Sequence, residues 1–190
     1  MVCSEKSPSS APGSRRSQAS RLAAALAAGA FAIGLNTVAL QAAELVPLAT
    51  ARGGLLRLLI VWTARPVHAL ALWANWRWLE AAPTPAFQTS FHLAAGLLMA
   101  IVYALAIEPI VAGGVWRMGA VYGLVVWLIN ALVVLPLTGE GIAGGAHLRP
   151  AGIAWYAVAH FLFFLLLAWS YARLLSWPAA WSRRRRRADG

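Results

Sequence analysis

Cysteine is almost missing from this chain: Cys3 stands alone, so no intrachain disulfide and no cysteine-based zinc site can form. Cys3 also lies too near the start to be a lipoprotein cysteine, because no apolar signal stretch precedes it. Carboxylates are scarce too, with 6 Asp and Glu residues against 16 Lys and Arg. The single Asp, Asp189, is in the C-terminal tail, and Glu44, Glu80, Glu108 and Glu140 are scattered. That excludes a Ser-His-Asp triad and leaves no carboxylate pair for acid–base work. Charge of either sign is thin, at 12% of residues against about 25% in a typical soluble domain. The glycine-rich stretch Gly139 to Gly145 is not followed by Gly-Lys-Ser or Gly-Lys-Thr, so it is not a phosphate-binding loop.

What the chain has instead is apolar length. Of its 190 residues 61% are hydrophobic, concentrated in four stretches, about 21–48, 88–112, 114–137 and 151–177. A bilayer core of about 30 Å needs about 20 apolar residues at 1.5 Å per residue. Each stretch is long enough. The expected fold class is an all-α integral membrane four-helix bundle, with one more, Trp-rich helical segment at the interface. The first stretch follows Arg15, Arg16 and Arg21 and imitates a signal peptide, but its apolar run exceeds the usual ~7 to 15 residues and lacks a small-x-small cleavage site. It reads as a retained anchor helix.

Charge placement gives a topology. Residues 1–20 are rich in Ser, Pro, Gly and Arg and read as a disordered basic tail. Residues 178–190 form a second basic tail containing Arg183, Arg184, Arg185, Arg186 and Arg187. An even number of spans with both tails in the cytoplasm satisfies the positive-inside tendency. The net charge of +10 therefore reads as headgroup affinity, about 1 kcal/mol per basic residue near anionic lipid, and not as a nucleic-acid interface, which spreads its charge over a folded face. Membrane lipids are the expected partners at the Arg run, with other membrane proteins or a second copy as further partners.

The segment 49–87 is expected at the outer surface. Arg57 and Arg65 interrupt it and Pro66 breaks it, and an Arg at mid-bilayer costs about 2.5 to 3.5 kcal/mol. Trp62, Trp73, Trp76 and Trp78 suit the headgroup level. A re-entrant pair of half-helices broken at Pro66 is the alternative.

Within the spans, a period of about 100° per residue aligns small and polar side chains. The stripes are Ala25, Gly29 and Asn36; His92, Gly96, Met99 and Tyr103; Gly119, Gly123 and Asn130; and Tyr156, His160, Phe164 and Tyr171. They are expected to face inward. The pairs Gly96 with Ala100 and Gly119 with Gly123 predict close helix packing. At the expected depths Asn36, His92, Asn130 and His160 form a polar layer in the outer half of the membrane. Buried ionisable groups there are expensive, which marks His92 and His160 as candidate cofactor-binding residues, for haem or for a metal assisted by Glu140 and His147. Their depths differ by about four residues, or about 6 Å, and no Cys-x-x-Cys-His haem-attachment motif exists, so no cofactor at all is the leading expectation. Glu108 lies nine residues before Arg117 across a turn and is expected to pair with it at the inner interface, engaging Arg173 as well.

The block from Phe91-His92 through Gly96 and Tyr103, then Gly119, Tyr122-Gly123, Trp127, Pro136 and His160, is similar to an uncharacterised family of small bacterial inner-membrane proteins with one amino-terminal span, a longer basic loop and a compact three-helix block. The resemblance covers about 88–173. It implies a four-span architecture and carries no assigned activity. The resulting expectation is a multi-pass inner-membrane protein without enzymatic activity, an accessory or structural component. The alternatives are a small haem- or metal-binding redox protein using His92 and His160, and an oligomeric ion or proton channel or transporter subunit.

Overall fold

A computed structural model describes residues 17–45, 54–74 and 84–188. Five helices carry the chain: α1 (Gln18–Leu45), α2 (Gly54–Ala74), α3 (Pro85–Ile110), α4 (Val115–Leu137) and α5 (Pro150–Ala188). Among the described residues all regular structure is helical. Four segments, Gln18–Ala42, Pro85–Ile110, Val115–Leu137 and Pro150–Ser176, are long and apolar enough to cross a membrane. The protein is a multi-pass membrane protein of the all-α class. Leu98, Leu124, Val125, Leu128, Leu132 and Val158 lie exposed along the outward faces, an apolar surface that suits hydrocarbon and not water.

The helix ends follow from local chemistry. Thr84 caps α3, its hydroxyl oxygen accepting from the Phe87 N–H at 3.2 Å, and Pro85 fills the first helical position, where a missing N–H costs nothing. Gly113 turns the chain between α3 and α4 with φ 128°, a conformation open to glycine and strained for any other residue. So short a turn makes α3 and α4 antiparallel.

Prolines shape two spans from within. Pro109 and Pro136 have no N–H to donate and their rings crowd the preceding turn. In each case the helix widens just ahead of the ring, into a π-turn at Tyr103–Ile107 and another at Asn130–Val134, a known way of absorbing such a fault. The Glu108 N–H reaches the Tyr103 carbonyl and the Leu135 N–H reaches the Asn130 carbonyl.

Small residues set the packing. A Cβ on Gly29 would come within 2.5 Å of Ala100, and one on Gly96 within 2.5 Å of Ile33, so α1 and α3 meet through each other's notches. A Cβ on Gly119 would stand 2.9 Å from the Phe164 carbonyl, and one on Gly123 would stand 3.3 Å from Phe161 and Phe164. Glycines in α4 thus receive the bulky residues of α5. The core comprises Ala25, Ala28, Ala32, Ile33, Ala100, Tyr103, Tyr122, Phe163, Phe164, Leu167 and Tyr171. α5 packs along both α1 and α4, α3 lies against α1, and the direct seam between α3 and α4 is the thinnest of the four.

Two expected boundaries change. The helix α2 runs through Pro66 without ending there, so the pair of half-helices broken at that residue is not what forms. Its N-terminal part packs on the Asn130–Leu137 portion of α4, burying Leu56 and Leu58 while Leu59, Ile60, Val61, Trp62 and Trp73 stay exposed. Trp76 and Trp78 lie outside the described residues. The membrane-length part of the last helix is Pro150–Ser176, close to the expected 151–177, and its backbone continues as helix through the Arg183–Arg187 run to Ala188. Most of the amino-terminal tail, 1–16, is outside the described residues, and α1 starts at Gln18, inside the expected tail, with Ser17 Oγ accepting from the Ser20 N–H at 3.2 Å.

Candidate functional site

The two ends of the bundle carry different polar arrangements. The end that holds the start of α1 and the α3–α4 turn is called the Arg21 end; the opposite end, with the α4–α5 connection, is the Glu140 end.

At the Arg21 end, Glu108 Oε2 accepts from the Arg21 guanidinium at 2.7 Å and from the Tyr171 hydroxyl at 2.7 Å. Arg21 also donates to the Ala104 carbonyl at 2.6 Å. That carbonyl lies five residues before Pro109, which has no N–H to return along a widened turn. An Arg from another helix fills the acceptor that a proline leaves open. Around this cluster the rings interlock: Tyr103 meets Tyr171 edge-on with centroids 5.4 Å apart, and Tyr122 meets Phe164 at 4.5 Å. The Tyr122 hydroxyl donates to the Met99 carbonyl at 3.1 Å and ties α4 to α3.

The expected partnership of Glu108 with Arg117 and Arg173 is replaced by this cluster. Arg117 folds back over Gly113, where an added Cβ would meet its Cδ at 2.8 Å. Arg173 lies over the Trp169 ring at 5.6 Å, a cation–π arrangement. The close α1–α3 packing through Gly29 and Gly96 brings Arg21 to Glu108 first.

Toward the Glu140 end, the bundle opens into a cavity of about 330 Å³, within the size range of small-molecule sites. Asn36, His92, Asn130 and His160, each from a different span, all line it. Its walls are otherwise mostly apolar, with Ile33 and Leu40 of α1, Phe91 and Met99 of α3, Val126 of α4, Tyr156, Phe163 and Phe164 of α5, and the start of α2 at Gly54, Leu55 and Leu56.

The hydrogen bonds of Asn36 and His160 have a common direction. Asn36 donates its amide N–H to the Ala159 carbonyl at 3.1 Å. Since a carbonyl can only accept, the side-chain orientation is fixed and Oδ1 is the atom left over. Asn36 is 6% exposed and its Oδ1 has no hydrogen-bond partner. His160 Nδ1 stands 3.1 Å from the Tyr156 carbonyl, so Nδ1 carries the hydrogen and the neutral ring keeps a lone pair on Nε2. The Tyr156 ring packs edge-on against this imidazole at 4.3 Å and holds its plane.

The other candidate residues fall elsewhere. Glu140 is ion-paired with Arg57 and has His147 Nδ1 at 3.0 Å from Oε2, so this group fastens α2 to the α4–α5 connection and does not line the cavity. Glu140 and His147 therefore do not assist His92 and His160, and among the described residues no three His, Cys, Asp or Glu side chains gather to hold a metal ion. Gly96, Ala100, Gly119 and Gly123 are all buried, and Gly96, Gly119 and Gly123 lie at the close approaches of α1 with α3 and of α4 with α5, with Ala100 opposite Gly29.

Sequence reasoning missed three participants. Arg21 served only as a topology signal, although it stands at the start of an apolar run whose antiparallel neighbour ends in Glu108. Thr37 and Thr89 also line the cavity, and a threonine within an apolar span carries no sequence signal of its own, since its hydroxyl can bond the preceding turn. The widened turns went unread, although a proline late in an apolar span is their sequence signal. No family model, curated protein or solved structure matches this chain.

Proposed function

We propose that this protein is a non-enzymatic accessory component of a bacterial inner membrane, with both ends in the cytoplasm, that holds a small lipophilic molecule in the cavity lined by Asn36, His92, Asn130 and His160. In this orientation the Arg21 end faces the cytoplasm and the Glu140 end the outer side, which puts the basic tails against anionic headgroups. Four helices long and apolar enough to cross a membrane support the multi-pass architecture.

One observation carries the reading. Four polar side chains, one from each span, converge on a single half-apolar cavity where uniform leucine would have packed more cheaply. The Arg21 end supports a binding role over a conducting one: its aromatic packing and closed Arg21–Glu108–Tyr171 cluster leave the cavity as a blind chamber. Binding also fits the lining, in which no carboxylate stands among the described residues.

Native mass spectrometry of the full chain released from gentle detergent tests the proposal. A small organic adduct at one per chain, lost in Ala95→Phe, which fills a lining position, is the expected result. A protein without adduct in both forms overturns the holding role, and a haem or metal ion in its place would move the protein to the redox class. Reporter fusions at each end test the topology, for which a C-terminus on the outer side is the contradicting result.

A further inference from the structure

Around Asn36 and His160 the lining side chains direct their donors into main chain, and the reason lies in the helix backbones; Gln41, Gln88 and Tyr156 also line the cavity and carry donors of their own. Thr37 donates its hydroxyl to the Ile33 carbonyl at 2.8 Å and Thr89 to the Pro85 carbonyl at 3.0 Å. Asn130 points an amide N–H toward the Val126 carbonyl at 3.5 Å. With Asn36 on Ala159 and His160 on Tyr156, five lining side chains from all four spans direct a donor into main chain. Thr37, Thr89 and neutral His160 then have only lone pairs left, and Asn36 offers an Oδ1 that nothing satisfies.

Building on the holding role above, we infer that the cavity selects a neutral lipophilic molecule with hydroxyl donors on an aromatic head, the chemistry of a hydroquinone or a phenol. A hydroxyl donor completes Asn36 Oδ1 and His160 Nε2, whereas a carbonyl or ether oxygen placed against these two atoms sets acceptor against acceptor. An ammonium head would also donate, but among the described residues no carboxylate lines the cavity, and an uncompensated cation in such surroundings is costly. The aromatic walls supplied by Phe91, Phe163, Phe164 and Tyr156 suit a flat ring. The volume of about 330 Å³ admits one ring with part of an alkyl tail.

The test is calorimetric titration of the full chain in detergent, under nitrogen, with three molecules of one shape: a short-tailed 1,4-hydroquinone, its quinone and its dimethyl ether. The hydroquinone is expected to bind at least tenfold tighter than the other two. Asn36→Leu and Thr37→Val, a near-isosteric pair of changes that remove acceptors, are each expected to erase most of that preference. Equal binding of the three forms, a preference for the quinone, or no binding at all overturns the inference, as does a hydroquinone preference that survives both variants. Equal binding that disappears in Ala95→Phe defeats only the donor assignment and leaves the holding role standing. Hydroquinone binding that Ala95→Phe does not change defeats both, because the site is then elsewhere.

Discussion

At the Arg21 end of the bundle three polar side chains satisfy one another, as do Arg57, Glu140 and His147 at the far end, while in the cavity between them polar side chains satisfy main-chain carbonyls and keep lone pairs. The difference lies in where the donors go. Arg21 meets a carboxylate, a tyrosine hydroxyl adds a second donor to the same oxygen, and the cluster is closed. Asn36 and His160 meet only carbonyls, which cannot give a proton back, so each keeps an acceptor. A closed polar cluster stabilises a membrane bundle; an unfinished one recognises something. On the proposed reading the Arg21 end is the anchor and the cavity toward the Glu140 end the receptor.

Substitutions at the two ends should separate these roles, and the largest effect is expected at the notch between them. Gly96→Leu places a side chain where Ile33 already stands 2.5 Å from the added Cβ, and should cost about 3 kcal/mol or more, read as a lower melting temperature in detergent. A near-native melt would mean that α1 and α3 do not meet there. Next comes Glu108→Ala, which strands the Arg21 guanidinium and the Tyr171 hydroxyl. The side chains of Arg21 and Glu108 are 32% and 30% exposed, so the loss should be about 1 to 3 kcal/mol, below the value for a fully buried pair. Arg117→Ala serves as the control and should leave stability within about 0.5 kcal/mol of wild type; a larger loss than that of Glu108→Ala would return Glu108 to Arg117. Tyr171→Phe removes a single hydrogen bond to a charged acceptor and should cost about 1.5 kcal/mol. The smallest effect belongs to the receptor end: Asn36→Leu keeps the volume, removes an unsatisfied acceptor together with the hydrogen bond to the Ala159 carbonyl, and should change stability by about 1 kcal/mol at most as the two changes offset. A collapse of the fold in that variant would make Asn36 part of the anchor.

Much of this contrast was legible in the sequence, and the part that was not has a physical cause. Helical periodicity placed Asn36, His92, Asn130 and His160 on inward stripes, because a period of 3.6 residues fixes which residues share a face. All four line one cavity. The glycine notches were readable for the same reason. Charge pairing was not, because the distance between Glu108 and Arg117 along the chain says nothing of how far α1 can press into α3. That approach depends on Gly29 and Gly96 lying opposite Ala100 and Ile33, a relation between two helices that neither contains alone. The route of α2 past Pro66 was hidden as well, since a proline limits only its own φ and the hydrogen bonds of one turn. The direction of each donor in the cavity needed coordinates, for a threonine or asparagine on a stripe can point its donor either way.

The contrast is tested most directly by measuring the melting temperature of three proteins, wild type, Glu108→Ala and Asn36→Leu, with and without saturating short-tailed hydroquinone. The expected result is a lowered basal melt in Glu108→Ala that still rises with hydroquinone, and a near-native basal melt in Asn36→Leu that no longer responds to it. A ligand response lost in Glu108→Ala yet intact in Asn36→Leu would contradict the division of the bundle into an anchor and a receptor.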